Sequence, residues 1–286
     1  MKKFYMILAA VAAMTMSAQA QDLNYGAVEV GDFENADEFY NGSYFDMAPT
    51  NFYLAHTGVQ MIYSADELGE ISMLDDVKIT KLSFKFNCNG AWEEIYRDVK
   101  VYLEATDATQ FAVVEGVKQF FTFGDPVLET SVYYDMVEFF GEDKVMELDL
   151  SAAPFALAAG KNLLVTIVFD AVDDDNCTMG SDYAPFYTSG IRGGKAMLYT
   201  NNWTSFIDYA QGNDFPDATA MLGCGTNVEL PVTLINYSYP GSSSVNEVNV
   251  DRMGDDAYYN LMGQKFSAGN LPAGIYIHNG KKVMVK

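Results

Sequence analysis

Arg97-Asp98-Val99-Lys100-Val101-Tyr102-Leu103-Glu104-Ala105 (RDVKVYLEA) decides the fold of this chain. Val99, Val101 and Leu103 alternate with Lys100, Tyr102 and Glu104. That period of two is the mark of an antiparallel strand with one face inward and one face wet. Lys78–Asn87 (KITKLSFKFN) sets Ile79, Leu82, Phe84 and Phe86 on an apolar side, after a slip near Lys81. Lys144–Leu150 (KVMELDL) alternates in the same way. Asn162–Asp170 (NLLVTIVFD) is nearly continuous in apolar residues and reads as a central strand. Ala196–Thr200 and Val228–Asn236 complete the series, with Gly, Asn, Asp and Pro clusters between the runs. One stretch suits a helix. Ser64, with Glu67 three residues on, forms a capping box, and Gly69 ends the run after one or two turns. Many short strands and little helix predict an all-β chain, a jelly-roll-like antiparallel β-sandwich with a small β-tail behind it.

The two ends of the chain set its organisation. Lys2 and Lys3 precede the apolar run Phe4–Met16, and Ala18-Gln19-Ala20 offers small residues for cleavage, so residues 1–20 read as a signal peptide. No later window has the length and apolarity of a transmembrane helix, and none is expected after signal cleavage. About 265 residues remain, enough for one large β domain over residues 21–237. Ser238–Ser244 (SYPGSSS) opens a linker that continues, polar and acidic, to residue 256. The tail, 257–286, offers three strand candidates: Tyr258–Phe266, Gly274–His278 and Lys282–Val285. Asn279-Gly280 is a two-residue hairpin signal, because both residues tolerate positive φ.

Charge separates these parts. The formal net charge is −22. Taking out the leader's two lysines and the tail's four, Lys265, Lys281, Lys282 and Lys286, leaves −28 on residues 4–256. A body of that sign repels phosphate backbones, so nucleic acid is not expected as a partner. Cys88, Cys177 and Cys224 match no zinc spacing and are too few for a disulfide framework. Export permits one disulfide, and buried thiols are an equal reading.

Several elements of the tail resemble a known family. Tyr259-Asn260-Leu261-Met262-Gly263-Gln264-Lys265, Leu271-Pro272-Ala273-Gly274-Ile275-Tyr276-Ile277 and Asn279-Gly280-Lys281-Lys282-Val283 follow one another as they do in the C-terminal sorting domains of secreted Bacteroidetes proteins. Those domains are associated with the type IX (Por) secretion route. The Pro-Asn-Pro opening of the longer form is absent, so the tail resembles a shortened form. The resemblance implies the export machinery as a partner, and an extracellular or outer-membrane surface location. If the tail is not used for export, it implies the periplasm. In the body, Ile62–Leu68, Ile79–Lys85 and Val99–Leu103 resemble an adhesin-like β-sandwich module that recurs in such surface proteins; no catalytic residues travel with it.

Chemistry-bearing constellations are sparse. Only His56 and His278 are histidines, which excludes an HExxH zinc enzyme. A Ser-His-Asp triad would need His56, yet no G-x-S-x-G motif occurs. No P-loop or dinucleotide glycine fingerprint occurs either. Carboxylate pairs such as Glu93-Glu94 and Asp75-Asp76 are common, and a glycosidase needs two facing each other about 5–10 Å apart. Asp170, Asp173 and Asp175 form the best candidate for a structural Ca2+ site, since calcium collects loop carboxylates; a solvated acidic turn is the plainer reading. Trp92, Trp203 and Tyr187 fall in expected loops, where exposed rings stack on sugars or anchor proteins and buried rings cap the core. The expectation is an exported, non-catalytic protein for adhesion or for binding a glycan or surface protein. A glycoside hydrolase and a structural surface component are the alternatives.

Overall fold

The computed structural model describes residues 23–36, 48–50, 54–88, 94–135, 138–172, 186–191, 194–201, 205–211, 228–240, 257–260, 265–267, 271–278 and 281–285. The run expected to be central is β10 (Asn162–Ala171), buried along its first eight residues. It pairs antiparallel with β2 (His56–Tyr63) on one side and β4 (Glu94–Thr106) on the other. β11 (Ala196–Asn201) and β7 (Leu128–Asp135) extend this five-stranded sheet at its two edges, in the order β11-β2-β10-β4-β7. The facing sheet has the order β1-β12-β3-β8. These strands are β1 (Leu23–Val30), β3 (Val77–Asn87), β8 (Asp143–Asp149) and β12 (Thr233–Pro240). β9 (Phe155–Leu157) also pairs with β3. Leaving aside β9 and the edge strand β11, the strands pass back and forth between the sheets, except that β4 and β7 are neighbours in one sheet. Eight strands in two sheets wound this way form a jelly roll.

Alternation builds the core between the sheets. Val99, Val101 and Leu103 of β4 point inward, beside Val59, Met61 and Tyr63 of β2 and Val165, Ile167 and Phe169 of β10. Opposite them lie Ile79, Leu82, Phe84 and Phe86 of β3, with Met146 and Leu148 of β8. The slip near Lys81 is a β-bulge: Lys81 pairs with Asn236, Ile79 pairs with Tyr237, and Thr80 is the extra residue. The displaced Thr80 carbonyl accepts the Leu150 N–H at 2.8 Å. The short helix α1 (Ala65–Leu68) starts as its capping residues require, the Glu67 carboxylate accepting from the Ser64 N–H at 2.7 Å. Lys195 Nζ donates to the other Glu67 oxygen at 2.7 Å and ties the helix to the approach to β11. A 3-10 turn, Gly69–Met73, follows.

The outer face of the five-stranded sheet departs from the expected wet side. Tyr102, Leu164, Val168, Met197 and Tyr199 point outward, yet they are buried. An aromatic strap between β4 and β7 covers them, carrying Phe111, Phe120, Phe121 and Phe123, with Phe206 of α2 (Phe206–Gln211) beside it. The strap contains the small hairpin β5 (Val113–Val114) and β6 (Val117–Lys118), turning at Glu115 and Gly116. Both turn residues have positive φ, which matches a type I′ connection. Gln60, fully buried on β2, pins the strap. Its Nε2 donates to the Phe121 carbonyl at 2.8 Å and to Thr166 Oγ1 at 3.1 Å. Its Oε1 accepts the Phe121 N–H at 2.7 Å. Gly58, one outward position away, admits Phe206: a Cβ there would stand 2.2 Å from that ring.

The chain divides into two compact units, Met1–Gly241 and Ser242–Lys286. The expected linker therefore opens later than residue 238. Ser238, Tyr239 and Pro240 finish β12, where their pairing with Tyr25, Asn24 and Leu23 outweighs the turn-like composition. The second unit is a four-stranded sheet in the order β14-β13-β15-β16. Tyr258–Phe266, expected as one strand, contributes β13 (Ala257–Asn260) and the start of β14 (Lys265–Ser267), which pair antiparallel. β15 (Gly274–His278) and β16 (Lys281–Val285) pair with His278 opposite Lys281, the register of a two-residue hairpin. Tyr276 is buried, donates its hydroxyl to the Pro272 carbonyl at 2.9 Å and meets the Phe266 ring at 5.4 Å.

Replacing Gln60 with Leu should cost about 2–4 kcal/mol of unfolding free energy, because it strands a buried N–H and a buried carbonyl of Phe121. Urea titration of the mature chain checks this. A loss below about 0.5 kcal/mol would mean that the amide does not pin the strap.

Candidate functional site

Register places one row of polar residues across the outer face of the five-stranded sheet. Asn201 of β11 pairs with His56 of β2, His56 with Asp170 of β10, Asp170 with Asp98 of β4, and Asp98 with Ser131 of β7. The row lies at the end of the covered area. His56 Nδ1 stands 2.8 Å from Asp170 Oδ1, and an acceptor-only carboxylate makes Nδ1 the donor. Ser205, just before α2, donates Oγ–H to Asp170 Oδ2 at 3.0 Å. Ser205 Oγ also accepts the Ile207 N–H at 3.3 Å, so Asp170 holds the start of α2 to the sheet. A serine nucleophile would have to face the other imidazole nitrogen. Here the hydroxyl is directed at the aspartate, and the trio acts as a brace.

Beyond this row the outward side chains of β4 and β7 are more exposed. Past the row the outward pairs are Tyr96 with Tyr133 and Glu94 with Asp135; Asp98 meets Ser131 in the row, and Lys100 meets Glu129 on its covered side. Lys100 Nζ is 3.7 Å from Glu129 Oε2, and Ser131 donates to Asp98 Oδ1 at 2.7 Å. Tyr96 and Tyr133 are 37% and 54% exposed, whereas Tyr102, farther along the same face, is 5% exposed under Phe123. The hydrogen bond that the Tyr133 hydroxyl donates to Glu94 pushes its phenol pKa up.

The same end of the sandwich is marked on the other sheet. Phe86 of β3 stacks edge-on against Tyr134 of β7 at 5.0 Å, and Tyr134 pairs with Ile95 at the start of β4. Asp143, opposite Asn87, accepts from Tyr187 Oη at 2.6 Å and from Asn87 Nδ2 at 2.8 Å, with Lys85 Nζ at 3.5 Å. Partial burial works to raise the Asp143 pKa, but these hydrogen bonds and the lysine outweigh it and hold the carboxyl below its ordinary value. Cys88 is buried beside this cluster, and burial pushes its thiol up to about 11. The turn 138–141 presents Phe140, which is 54% exposed.

Tyr187 does not stand exposed in a loop. It is 5% exposed, its hydroxyl is given to Asp143 and Lys85 lies 4.9 Å from its ring centre. The bridges Phe86–Phe186 and Thr188–Pro231 draw this segment against the sheet. Of the calcium candidates, Asp170 hydrogen-bonds through its two oxygens to His56 and Ser205. Trp92, Trp203, Asp173 and Asp175 lie outside the described residues. Among the described residues no group of three or more His, Cys, Asp or Glu converges as a metal site. In the tail, Tyr259 is 41% exposed, Asn260 pairs with Tyr276, and Gly274, Lys281 and Lys282 lie in the β15–β16 hairpin. Leu261, Gly263, Gln264, Asn279 and Gly280 lie outside the described residues. Sequence reading missed Tyr96 and Tyr133. The signal was an aromatic at an outward position of each of two alternating runs, but their pairing needs the register.

No family model matches the chain, and no curated protein matches it. Among solved structures, the cysteine protease and lectin-like domains of Cwp84, a surface layer associated protein of Clostridium difficile, are matched at 10% identity and a TM-score of 0.31. That match covers 65% of this chain and 32% of the other, a likeness too distant to carry a functional argument. No helix among the described residues is long and apolar enough to cross a membrane.

Because its folded pKa is depressed, Asp143 contributes stability above the ordinary carboxylate pKa of 3.8 and loses it as pH falls below that value. At pH 6, Asp143→Asn should therefore melt below the wild type, and the gap should shrink as pH falls below 3.8. Thermal melts across that range check it. Parallel curves would show that the carboxylate is not preferentially stabilised in the fold.

Proposed function

We propose that this protein is an exported, non-catalytic binding module that acts at or beyond the cell surface, with a glycan or surface protein as its ligand. The observation that carries the reading is the gathering of strand ends at one end of the jelly roll. Asn87 of β3, Glu94 of β4, Ala171 of β10 and Asn201 of β11 all lie there, and these strands lead into or out of the segments that contain Trp92, Asp173–Asp175 and Trp203. A sandwich that carries its connecting segments at one end is a common scaffold for recognition. The signal-peptide pattern and the sorting-like tail support export.

Glycoside hydrolysis is the second reading, and one observation favours it. Asp98 and Asp170 are opposite each other on adjacent strands, where Cβ atoms stand about 4.5–5.5 Å apart. That is the scale of the carboxylate separation in a retaining glycosidase, about 5–5.5 Å. The engagement of Asp170 by His56 and Ser205 argues for binding instead.

A glycan array probed with the mature chain should give saccharide binding that falls at least tenfold in Trp203→Ala or Trp92→Ala, with the bound sugars recovered intact. Cleavage lost in Asp98→Asn would establish the hydrolase reading. An array without binding would favour a structural surface component. The tail gives a separate expectation. Protein purified from the cell surface should lack residues beyond about 251 by intact mass, as for a sorting signal removed on export. A retained tail would assign it a structural role.

A further inference from the structure

We propose that the four-stranded sheet of the second unit docks on an anionic lipid surface through one of its two faces. This docking is separate from ligand binding by the body, and it belongs to the chain with its tail attached. The sheet's own packing goes to one side. Tyr258 stacks on His278 at 4.1 Å, Phe266 meets Tyr276 at 5.4 Å, and Tyr276 is only 4% exposed. The other side keeps its apolar groups in the open. Tyr259 pairs with Ile277, and Ile275 pairs with Met284. Tyr259 and Ile277 are 41% and 38% exposed, and Ile275 and Met284 are 37% and 69% exposed. Four neighbouring apolar side chains on one face of so small a sheet form a patch, which marks a contact surface.

Charge names the sign of the partner. Residues 257–286 hold Lys265, Lys281, Lys282 and Lys286 and no Asp or Glu, in a chain whose net charge is −22. Register sets two of these lysines beside the patch, Lys265 opposite Tyr259 and Lys282 opposite Ile277. Among the described residues, no Asp, Glu, Asn or Gln occupies a register position on this face. Aliphatic residues with a tyrosine among them and lysines beside them have the composition of an element that lies in a membrane interface. β15 and β16 are five residues each, whereas a spanning strand takes about 9–11, so the sheet lies on the bilayer and does not cross it. Salt screens charges farther than about 8–10 Å from the lipid, so the sheet that docks sets the sign of the attraction.

Size separates a membrane from a protein partner. Four strands about 4.8 Å apart, none longer than five residues at about 3.4 Å each, make a face of about 300 Å². A stable protein interface takes about 800 Å² from each partner. A lipid surface has no such threshold, because each inserted side chain adds its own apolar burial and each basic residue adds about fivefold in affinity. A second copy of the tail is disfavoured, since both sheets are basic. A glycan would find none of the carboxylates or amides that fix sugar hydroxyls.

Flotation of the mature full-length chain with vesicles tests this. One set is phosphatidylcholine alone, and the other is one part phosphatidylglycerol to two parts phosphatidylcholine. Binding should be at least tenfold tighter to the charged vesicles and should weaken as salt rises. Free glycerophosphate in excess should not compete, because the apolar face needs a lipid. Lys265→Gln/Lys282→Gln should remove at least tenfold of the affinity, as two basic residues at about fivefold each require. Ile277→Ser/Met284→Ser should also lose at least tenfold, with the far-ultraviolet circular dichroism of the wild type. Should the serine pair unfold the sheet, the lysine pair carries the test alone. Failure to bind either vesicle overturns the proposal. So does equal binding to both, which removes anionic lipid as the partner. Vesicle binding that survives both pairs of substitutions places the lipid contact elsewhere and overturns it too. A decaglutamate peptide that binds in place of the vesicles, and is lost with the lysines, would assign the face to an acidic protein.

Discussion

The structure depends on covering the outer face of one sheet. A jelly roll buries the facing sides of its two sheets as a matter of course. Here the five-stranded sheet is also apolar outward, at Tyr102, Leu164, Val168, Met197 and Tyr199. The strap answers that constraint with four phenylalanines, and α2 adds a fifth. Fully burying such a ring is worth about 1.5–3 kcal/mol, and the partly buried Phe121 and Phe123 contribute less, so the cover stabilises the sheet it rests on. A backbone segment lying on a sheet face needs partners for its own polar groups, and the buried Gln60 amide supplies both kinds to Phe121. Gly58 supplies the space for Phe206.

The extent of the cover defines the candidate site. Aromatic burial stops at the row of His56, Asp170 and Asp98, where Asp170 braces the start of α2. Past that row, β4 and β7 stay paired, with polar and aromatic residues outward. The exposed strip and the strand ends beside the tryptophan-containing segments belong to the same end of the sandwich. Fold and function meet there: the packing that shields most of the sheet leaves one exposed tyrosine pair among acids.

Much of this was legible in the sequence wherever the cause is local. The alternation of Val99, Val101 and Leu103, the slip at Lys81, the Ser64/Glu67 cap and the hairpin register at His278 and Lys281 each follow from neighbouring residues. The covered face was not legible, because the phenylalanines of the strap have no strand or helix period and lie far in sequence from β2 and β11. Gln60 reads as a lone polar residue in an apolar run until its partner is known. Tyr187 looked like a loop aromatic, because its burial comes from long-range bridges to Phe86 and Pro231 neighbours. Ser238–Pro240 looked like linker, because composition cannot register a partner strand more than two hundred residues away.

Amide hydrogen exchange of the mature chain, read by mass spectrometry, tests the central claim most directly. The strap residues 119–123 should be protected to nearly the same degree as β10, since Phe121 is hydrogen-bonded to a fully buried side chain. Exchange of 119–123 at the rate of an open loop, with β10 still protected, would contradict the account. It would mean that the outer face is not sealed, and that the boundary drawn around the open tyrosine strip is not real.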